Sequence, residues 1–245
     1  VKGHDSRVAA LVHWIGSQNL VPDIFFGQEF TDFHAQEAFV AGMKNLGYTF
    51  FVIDRAPHPL FMNSGLLVAS KYKLKNISFI PFAFTDRLGC DRLVQKGAIV
   101  CTIADTKAKQ RMRLLNTHLN CGYGPVADAT RYRQVKNYLL PTLSDQSIPT
   151  VLIGDLNLDT SNQQAKQESG LEGFTNLCEG NITCTNEGVA HLRGSDEPII
   201  YENIDAVMPN SQRIGHTNLT ITKVVGEDEV LLSDHYAVGI TLSCV

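Results

Sequence analysis

The chain has 245 residues, 44% of them hydrophobic and 19% charged, which is enough to bury one large core. Its formal net charge of −4 gives no broad basic surface, so binding to a polyanion through overall charge is disfavoured. No stretch approaches the roughly 18 apolar residues of a membrane span, and residues 1–18 lack the pattern of an export signal. We therefore expect a single domain, residues 1–245, without a transmembrane segment.

The six cysteines form no CxxC pair and have no histidine at zinc-finger spacing, so a structural zinc site is not expected. Cys178 and Cys184 flank a short polar loop and could form a disulfide outside the reducing cytosol. The sequence does not determine the compartment, although an extracytoplasmic location is favoured.

Apolar residues at helical spacing predict three helices, and short β-rich runs between turn residues predict a many-stranded sheet protein. The predicted helices cover residues 6–20, 31–47 and 128–143. The predicted strands cover residues 23–30, 49–55, 64–72, 98–105, 112–119, 150–157, 204–209 and 234–242. This interleaving favours an α/β protein with helices around two sheets.

Polar residues recur at the expected C-terminal ends of four apolar strands. They are Glu29, His118, Asp155 with Asn157, and Asp234 with His235. A single acid after a strand is usually a solvated turn residue, and GDLN alone is typical of a turn. The repetition of the pattern in four segments instead predicts that these side chains share one site.

These residue types suit the hydrolysis of a phosphodiester. A hard cation such as Mg²⁺ binds oxygen ligands and keeps several waters, a role that fits Glu29. Hydrolysis also requires charge neutralisation at the phosphate and a base that deprotonates water. Histidine suits that base when a carboxylate orients it, and Asp205 is the candidate partner of His235. The chain has neither the HExxH motif of zinc peptidases nor the GxSxG motif of serine hydrolases.

The motifs QE, NTHL, GDLN, IDAV and SDH, in this order and at these separations, resemble the endonuclease/exonuclease/phosphatase superfamily typified by pancreatic deoxyribonuclease. The resemblance implies a four-layered α/β sandwich with two packed, mainly antiparallel sheets flanked by helices. It implies Mg²⁺, or Mn²⁺ or another divalent cation, as cofactor. By this resemblance, Glu29 is the metal ligand and Asp234 supports the metal or the phosphate. His235 is the general base, paired with Asp205, and Asp155 helps to orient the attacking water. Asn157 contacts a phosphate oxygen, and His118 stabilises the developing charge.

One feature departs from this superfamily. Its members usually begin with a strand that carries an Asn before the first helix, whereas this chain opens almost directly into that helix. We therefore expect the first strand to be missing, which would leave the metal site one partner short.

Residues 84–100 resemble the corresponding region of neutral and bacterial sphingomyelinases, in which an acid and a Lys-Gly pair precede the strand leading to the histidine. Asp91 and Lys96 are the matching residues and become candidates for substrate binding. The leading hypothesis is a sphingomyelinase-type phospholipase C acting on a phospholipid. Residues 60–62 form an apolar tip that could provide peripheral membrane contact.

Three other functions remain open at this point. A nuclease would need nucleic acid bound at a basic patch, for which the candidates are Arg87, Arg92, Arg131 and Arg133. The other two are an inositol phosphate phosphatase and an inactive relative that serves as a binding module. The sequence does not predict an oligomeric state.

Overall fold

The computed structural model describes residues 4–54, 62–105, 110–185, 201–226 and 232–244. The helices are α1 (His4–Ser17), α2 (Phe33–Asn45), α3 (Pro125–Gln134), α4 (Leu140–Leu143) and α5 (Gln163–Ser169). A π-helical turn, Val135–Leu139, joins α3 to α4. The three helices predicted from periodicity are therefore present, and the third continues through the π turn.

Within the described residues, twelve strands accompany these helices. They are β1 (Ile24–Gly27), β2 (Phe50–Ile53), β3 (Leu67–Ser70), β4 (Lys75–Pro81), β5 (Gly97–Asp105), β6 (Gln110–His118), β7 (Thr150–Asp155), β8 (Cys184–Thr185), β9 (Tyr201–Glu202), β10 (Asp205–Pro209), β11 (Ile214–Thr222) and β12 (Ala237–Cys244). The sequence analysis missed β4 and β11. Both strands are mostly exposed. β11 is also rich in polar residues, and the apolar residues of β4 are interrupted by Asn76 and Ser78, so neither strand contains a long apolar run.

The strands form a five-stranded sheet of order β10-β7-β6-β5-β4 and a three-stranded sheet of order β1-β3-β2. Two smaller pairs, β11-β12 and β8-β9, complete the strand set of the described residues. All pairings are antiparallel except β6 with β7. The parallel pair needs a crossover, and α3, the π turn and α4 supply it.

Neighbouring apolar residues on the inner strands point to opposite faces, and both faces are buried. In β6, Leu114 packs into the core between the two main sheets, whereas Leu115 packs under α3 and α4. In β7, Val151 packs into the core between the two main sheets, and Leu152 packs under α3 and α4. Burial on both faces explains why these strands read as continuous apolar runs instead of alternating ones.

Three apolar clusters separate four layers. One cluster joins α1 and α2 to the three-stranded sheet, a second lies between the sheets, and a third joins the five-stranded sheet to α3–α5. Side chains of β12 also pack on the middle cluster, so the β11-β12 pair covers the same face of the five-stranded sheet. The predicted four-layered α/β sandwich is confirmed. Among the described residues, no helix is long and apolar enough to cross a membrane.

Two expectations from the sequence need correction. Asp234 and His235 do not follow a described strand; they precede β12, and residues 227–231 lie outside the described part of the chain. Cys178 and Cys184 are both free thiols, so the disulfide considered for them is not formed in this structure. Residues 60 and 61 of the apolar tip also lie outside the described ranges, whereas Met62 is described.

Candidate active site

Strand register brings three titratable side chains to one end of the five-stranded sheet. Asp155 ends β7, pairs with His118 at the end of parallel β6, and pairs with Asp205 at the start of antiparallel β10. Residues in register on neighbouring strands project from the same face. The site is therefore assembled by the pairing of β6, β7 and β10, although the three residues are far apart in sequence.

Asp155 lies between two imidazoles. Its Oδ2 atom is 3.5 Å from Nε2 of His118 and 3.6 Å from Nε2 of His235. Its Oδ1 atom accepts a hydrogen bond of 2.7 Å from the backbone N–H of Asn157. Asp155 is buried, and burial followed by the charge of Asp205 raises its pKa to about 7.

His235 enters the site just before β12 and is oriented by Asp205. Its Nδ1 atom lies 2.9 Å from Oδ2 of Asp205. When Nδ1–H donates to this carboxylate, the lone pair of Nε2 is available to accept a proton. Nε2 also lies 3.7 Å from Sγ of Cys184. The pair thus has the geometry of an oriented general base.

The charge state of His235 depends on the carboxylates around it. Burial alone would lower its pKa, but hydrogen bonds to Asp205 and Cys184 and the charges of Asp205 and Asp155 raise it to about 12. The imidazolium form is therefore favoured in the ligand-free site. A cation bound beside these carboxylates would oppose that form and lower the pKa of His235 toward neutrality.

His118 is held in the opposite charge state. Burial, followed by the charges of Lys96 and His235, holds its pKa well below its usual value. A neutral imidazole can donate one hydrogen bond and accept another. His118 is thus suited to donating a hydrogen bond to a developing negative charge.

Asn157 and Gly154 shape the end of β7. Asn157 has φ +48°, in the left-handed region that Asn tolerates, and its Nδ2 atom lies 3.4 Å from the carbonyl of Leu119. Gly154 belongs to the strand and has φ +135°. A Cβ atom on Gly154 would lie 2.0 Å from the carbonyl oxygen of Thr117. The GDLN motif thus begins inside β7, and its glycine permits close contact with β6.

Glu29 follows β1 in a constrained turn and has an exposed side chain. Its φ is +63°, and the backbone of Gly65 packs so closely that a Cβ there would lie 2.9 Å from Cα of Glu29. The adjacent Gln28 donates a 2.7 Å hydrogen bond to Oδ1 of Asn116, two residues before His118. The structure therefore connects the Glu29 turn to the end of β6.

Asp91 and Lys96 form a buried pair beside the loop that follows β6. Lys96 Nζ lies 3.6 Å from Oδ1 of Asp91 and donates a 2.8 Å hydrogen bond to the carbonyl of Leu119. Oδ2 of Asp91 accepts a 2.8 Å hydrogen bond from the backbone N–H of Cys121. The carbonyl of Leu119 also lies next to Asn157. The Asp91–Lys96 pair can therefore position the loop after β6 at the edge of the site.

Several residues that the sequence analysis did not assign support the site. Thr183 Oγ1 accepts a 3.1 Å hydrogen bond from the N–H of Asp205, and Asn176 donates a 3.0 Å hydrogen bond to the Asp205 carbonyl. Ser233 accepts a 3.0 Å hydrogen bond from the N–H of His235. Gln28, Asn116 and Ser233 carried a sequence signal, because they belong to the QE, NTHL and SDH motifs, whereas Thr183 and Asn176 belong to none of the five motifs.

One known protein family matches most of the chain. Residues 2–195 match the profile of the Endonuclease/Exonuclease/phosphatase family. No curated protein sequence matches the chain.

Solved structures share the fold at low sequence identity. A beta toxin double mutant from Staphylococcus aureus with bound magnesium ions is 16% identical, with a TM-score of 0.73 over 97% of this chain and 92% of that one. Sphingomyelinase C from Streptomyces griseocarneus is 17% identical, with a TM-score of 0.70 over 98% and 92%. TDP2 from D. rerio, complexed with a single-strand DNA product, is 12% identical, with a TM-score of 0.72 over 97% and 91%.

Proposed function

The chain belongs to the endonuclease/exonuclease/phosphatase family of metal-dependent phosphodiester hydrolases, and we propose that it is a phospholipase C of the sphingomyelinase type. In this reaction water attacks phosphorus and the bond from phosphorus to the lipid oxygen breaks. The headgroup leaves as a phosphate monoester, and the lipid oxygen takes up a proton.

His235 is the base in this proposal. Its Nε2 atom takes the proton of the attacking water, while Asp205 holds Nδ1 and stabilises the imidazolium that forms. The carboxylate of Asp155, 3.6 Å from Nε2, accepts the second hydrogen of that water and so orients its lone pair. Neutral His118 and the amide of Asn157 donate to phosphate oxygens as negative charge develops.

The residues present fit a magnesium ion. Mg²⁺ usually binds one or two carboxylates and keeps several waters, and the exposed carboxylate of Glu29 is a ligand of this kind. Asp234, half-buried beside His235, is the second carboxylate that we assign to the metal or phosphate. When bound, the ion neutralises charge on the non-bridging phosphate oxygens.

Exposed apolar side chains next to the Asp91–Lys96 pair are the observation that carries the choice of a lipid substrate. Met62 and Leu93 are 52% and 60% exposed, and Met62 N–H donates a 2.9 Å hydrogen bond to the carbonyl of Leu93. Phe84 is 54% exposed, and the guanidinium of Arg92 lies 5.5 Å from its ring centre. Apolar side chains with an adjacent cation suit the interface of a phospholipid membrane.

The nuclease alternative receives less support because two of the four candidate arginines are buried and a third is paired with a carboxylate. Arg87 and Arg131 are buried, and both donate hydrogen bonds to backbone carbonyls. Arg133 is paired with Asp86 at 3.1 Å. Of the four candidate arginines, Arg92 is the exposed one that lacks a carboxylate partner among the described residues.

The proposal is tested by measuring phosphocholine release from sphingomyelin vesicles with Mg²⁺, with EDTA as the metal-free control. His235→Ala removes the base, and His216→Ala, on exposed β11, is the matched control. Supercoiled plasmid and a single-stranded oligonucleotide are offered in parallel. Release that depends on Mg²⁺ and His235 supports the proposal. Cleavage of nucleic acid without lipid turnover would overturn it in favour of a nuclease.

A further inference from the structure

A tyrosine and a glutamate meet at the rim of the candidate active site. Tyr123 lies in the loop after β6, five residues beyond His118, and Glu202 ends β9, three residues before Asp205. The hydroxyl of Tyr123 donates a 3.3 Å hydrogen bond to Oε2 of Glu202. Two segments that carry residues of the candidate site therefore also bring this aromatic ring and this carboxylate together.

Strand pairing places Glu202 close to the proposed base. Glu202 pairs with Cys184 in the antiparallel β8-β9 ladder, and residues paired in this way project from the same face about 5 Å apart. Sγ of Cys184 lies 3.7 Å from Nε2 of His235. Glu202 is therefore the neighbour of a residue that contacts the base.

The backbone presents Tyr123 to the solvent. Tyr123 is 81% exposed, and the glycines on either side of it, Gly122 and Gly124, have φ +95° and +94°. Such angles favour glycine because it has no Cβ atom. The carbonyl of Gly122 accepts a 2.7 Å hydrogen bond from the buried Arg131. The loop is thus anchored next to Tyr123, whereas the ring itself stays open to a ligand.

The carboxylate of Glu202 forms no ion pair with a basic side chain in the part of the chain that the structure describes. Arg131, which anchors the loop, is itself paired with Asp128 at 2.5 Å. The face of an aromatic ring carries partial negative charge. An exposed ring beside an unpaired carboxylate therefore attracts a cation.

A quaternary ammonium suits this pair better than a primary ammonium does. A primary ammonium is strongly hydrated and has three hydrogen-bond donors, for which the ring face offers no lone pair. A quaternary ammonium has no N–H group, so its methyl groups can pack on the ring while its charge is attracted to the ring and to the carboxylate. In a choline headgroup this cation is joined to the phosphate ester by two carbon atoms. It must therefore bind close to the phosphate, where this pair lies.

We infer that Tyr123 and Glu202 form the subsite for a quaternary ammonium headgroup, with the cation over the ring of Tyr123 and its charge balanced by Glu202. The inference rests on the proposed phospholipase function, because it names the headgroup of that substrate. Both residues lie outside the set assigned to proton transfer and phosphate contact. They determine which headgroup binds, and they take no part in breaking the phosphodiester bond.

The binding of two phosphate monoesters of the same shape tests the inference without turnover. Phosphocholine carries a quaternary nitrogen, and in neohexyl phosphate an uncharged carbon atom takes the place of that nitrogen. Isothermal titration calorimetry in the presence of Mg²⁺ measures the Kd of each compound. The wild-type protein should bind phosphocholine about 2- to 30-fold more tightly, which is the range expected for a cation over an aromatic ring.

Variants assign this preference to the pair. Tyr123→Leu and Glu202→Gln should each reduce it, whereas Tyr123→Phe keeps the ring and should retain most of it. Tyr72→Leu is the matched control, because Tyr72 is 50% exposed and its hydroxyl donates a 3.2 Å hydrogen bond to Asp23, before β1. All four variants should bind neohexyl phosphate as the wild-type protein does, and thermal unfolding checks that each is folded.

Equal Kd values for the two compounds in the wild-type protein, or no measurable binding of phosphocholine, would overturn the inference. A Tyr123→Phe variant that loses as much of the preference as Tyr123→Leu would overturn the role of the ring. Turnover is measured in parallel on vesicles of sphingomyelin and of phosphatidylcholine, lipids that share this headgroup. Turnover of either lipid without the binding preference would overturn this inference alone. A preference for phosphocholine without lipid turnover would support the subsite and overturn the proposed function.

Discussion

Nδ1 of His235 lies 2.9 Å from Oδ2 of Asp205, although 30 positions separate the two residues in the sequence. The carboxylate selects the tautomer in which Nε2 is the proton acceptor. Because one residue acts through the other, their contributions to catalysis are not independent.

We therefore expect Asp205→Asn to lower kcat about 10²- to 10⁴-fold, the range associated with general acid–base catalysis. His235→Ala should have a similar effect, and the double variant should lose little more than either single one. Steady-state kinetics on phospholipid vesicles measures these losses, with His216→Ala as control. Additive losses would contradict a shared role.

The depressed pKa of His118 predicts how stability depends on pH. The unfolded chain takes up a proton at this histidine near pH 6.5, whereas the folded protein does not. Folding stability from His118 is therefore complete above that pH and is lost as the pH falls, by at most about 1.4 kcal/mol per pH unit.

The difference in urea unfolding free energy between wild type and His118→Asn, followed from pH 5 to pH 7, isolates this slope, because Asp155, whose pKa is raised to about 7, contributes a slope of opposite sign in both proteins. The imidazole carbon resonances of His118 should also stay at their neutral positions over this range. A His118 resonance with an ordinary midpoint would contradict the assignment.

The pair formed by Lys96 and Asp91 predicts a large loss of stability when one charge is removed. Lys96→Met leaves Asp91 buried without its cation, and breaking a buried pair in this way costs about 3–5 kcal/mol. Lys71→Met disrupts a more exposed contact with Asp23 and should cost less than about 1 kcal/mol. Urea denaturation compares the two variants, and equal losses would argue against a buried pair.

Gly154 predicts a steric effect next to Asp155. The Cβ of Gly154→Ala would lie 2.0 Å from the carbonyl oxygen of Thr117, so the backbone must shift. We expect the free energy of unfolding to fall by about 3 kcal/mol or more. Gly173→Ala, where no atom lies within 4 Å of the added Cβ, should change it by less than about 0.5 kcal/mol. Similar values for both variants would contradict the close contact of β6 and β7.

The exposed apolar side chains predict a defect that is specific to membranes. Phe84→Ser and Leu93→Ser should lower the rate on phospholipid vesicles and weaken vesicle sedimentation. Their rate on a water-soluble short-chain phosphodiester should stay unchanged. Leu20→Ser removes a side chain that is 75% exposed at the opposite end of β1 and serves as control. Equal losses on both substrates would assign these residues to the folding of the site.

Local patterns were sufficient for much of the fold. Apolar runs located the buried strands, as in β6 and β7, and helical periodicity located α1 and α2. The polar strand β11 was not predicted, because it is stabilised by pairing with β12 and has no apolar pattern of its own. Pairing between distant segments has no local signature.

For the candidate site, too, some features follow from the sequence and others only from the tertiary structure. The sequence by itself determined the residue types of the site and their order, since QE, NTHL, GDLN, IDAV and SDH are visible as motifs. Only the tertiary structure decided that Asp155 lies between His118 and His235, that Arg87 and Arg131 are buried, and that Tyr123 and Glu202 meet. Sheet register and burial set those distances, and both depend on contacts between segments that are remote in the chain.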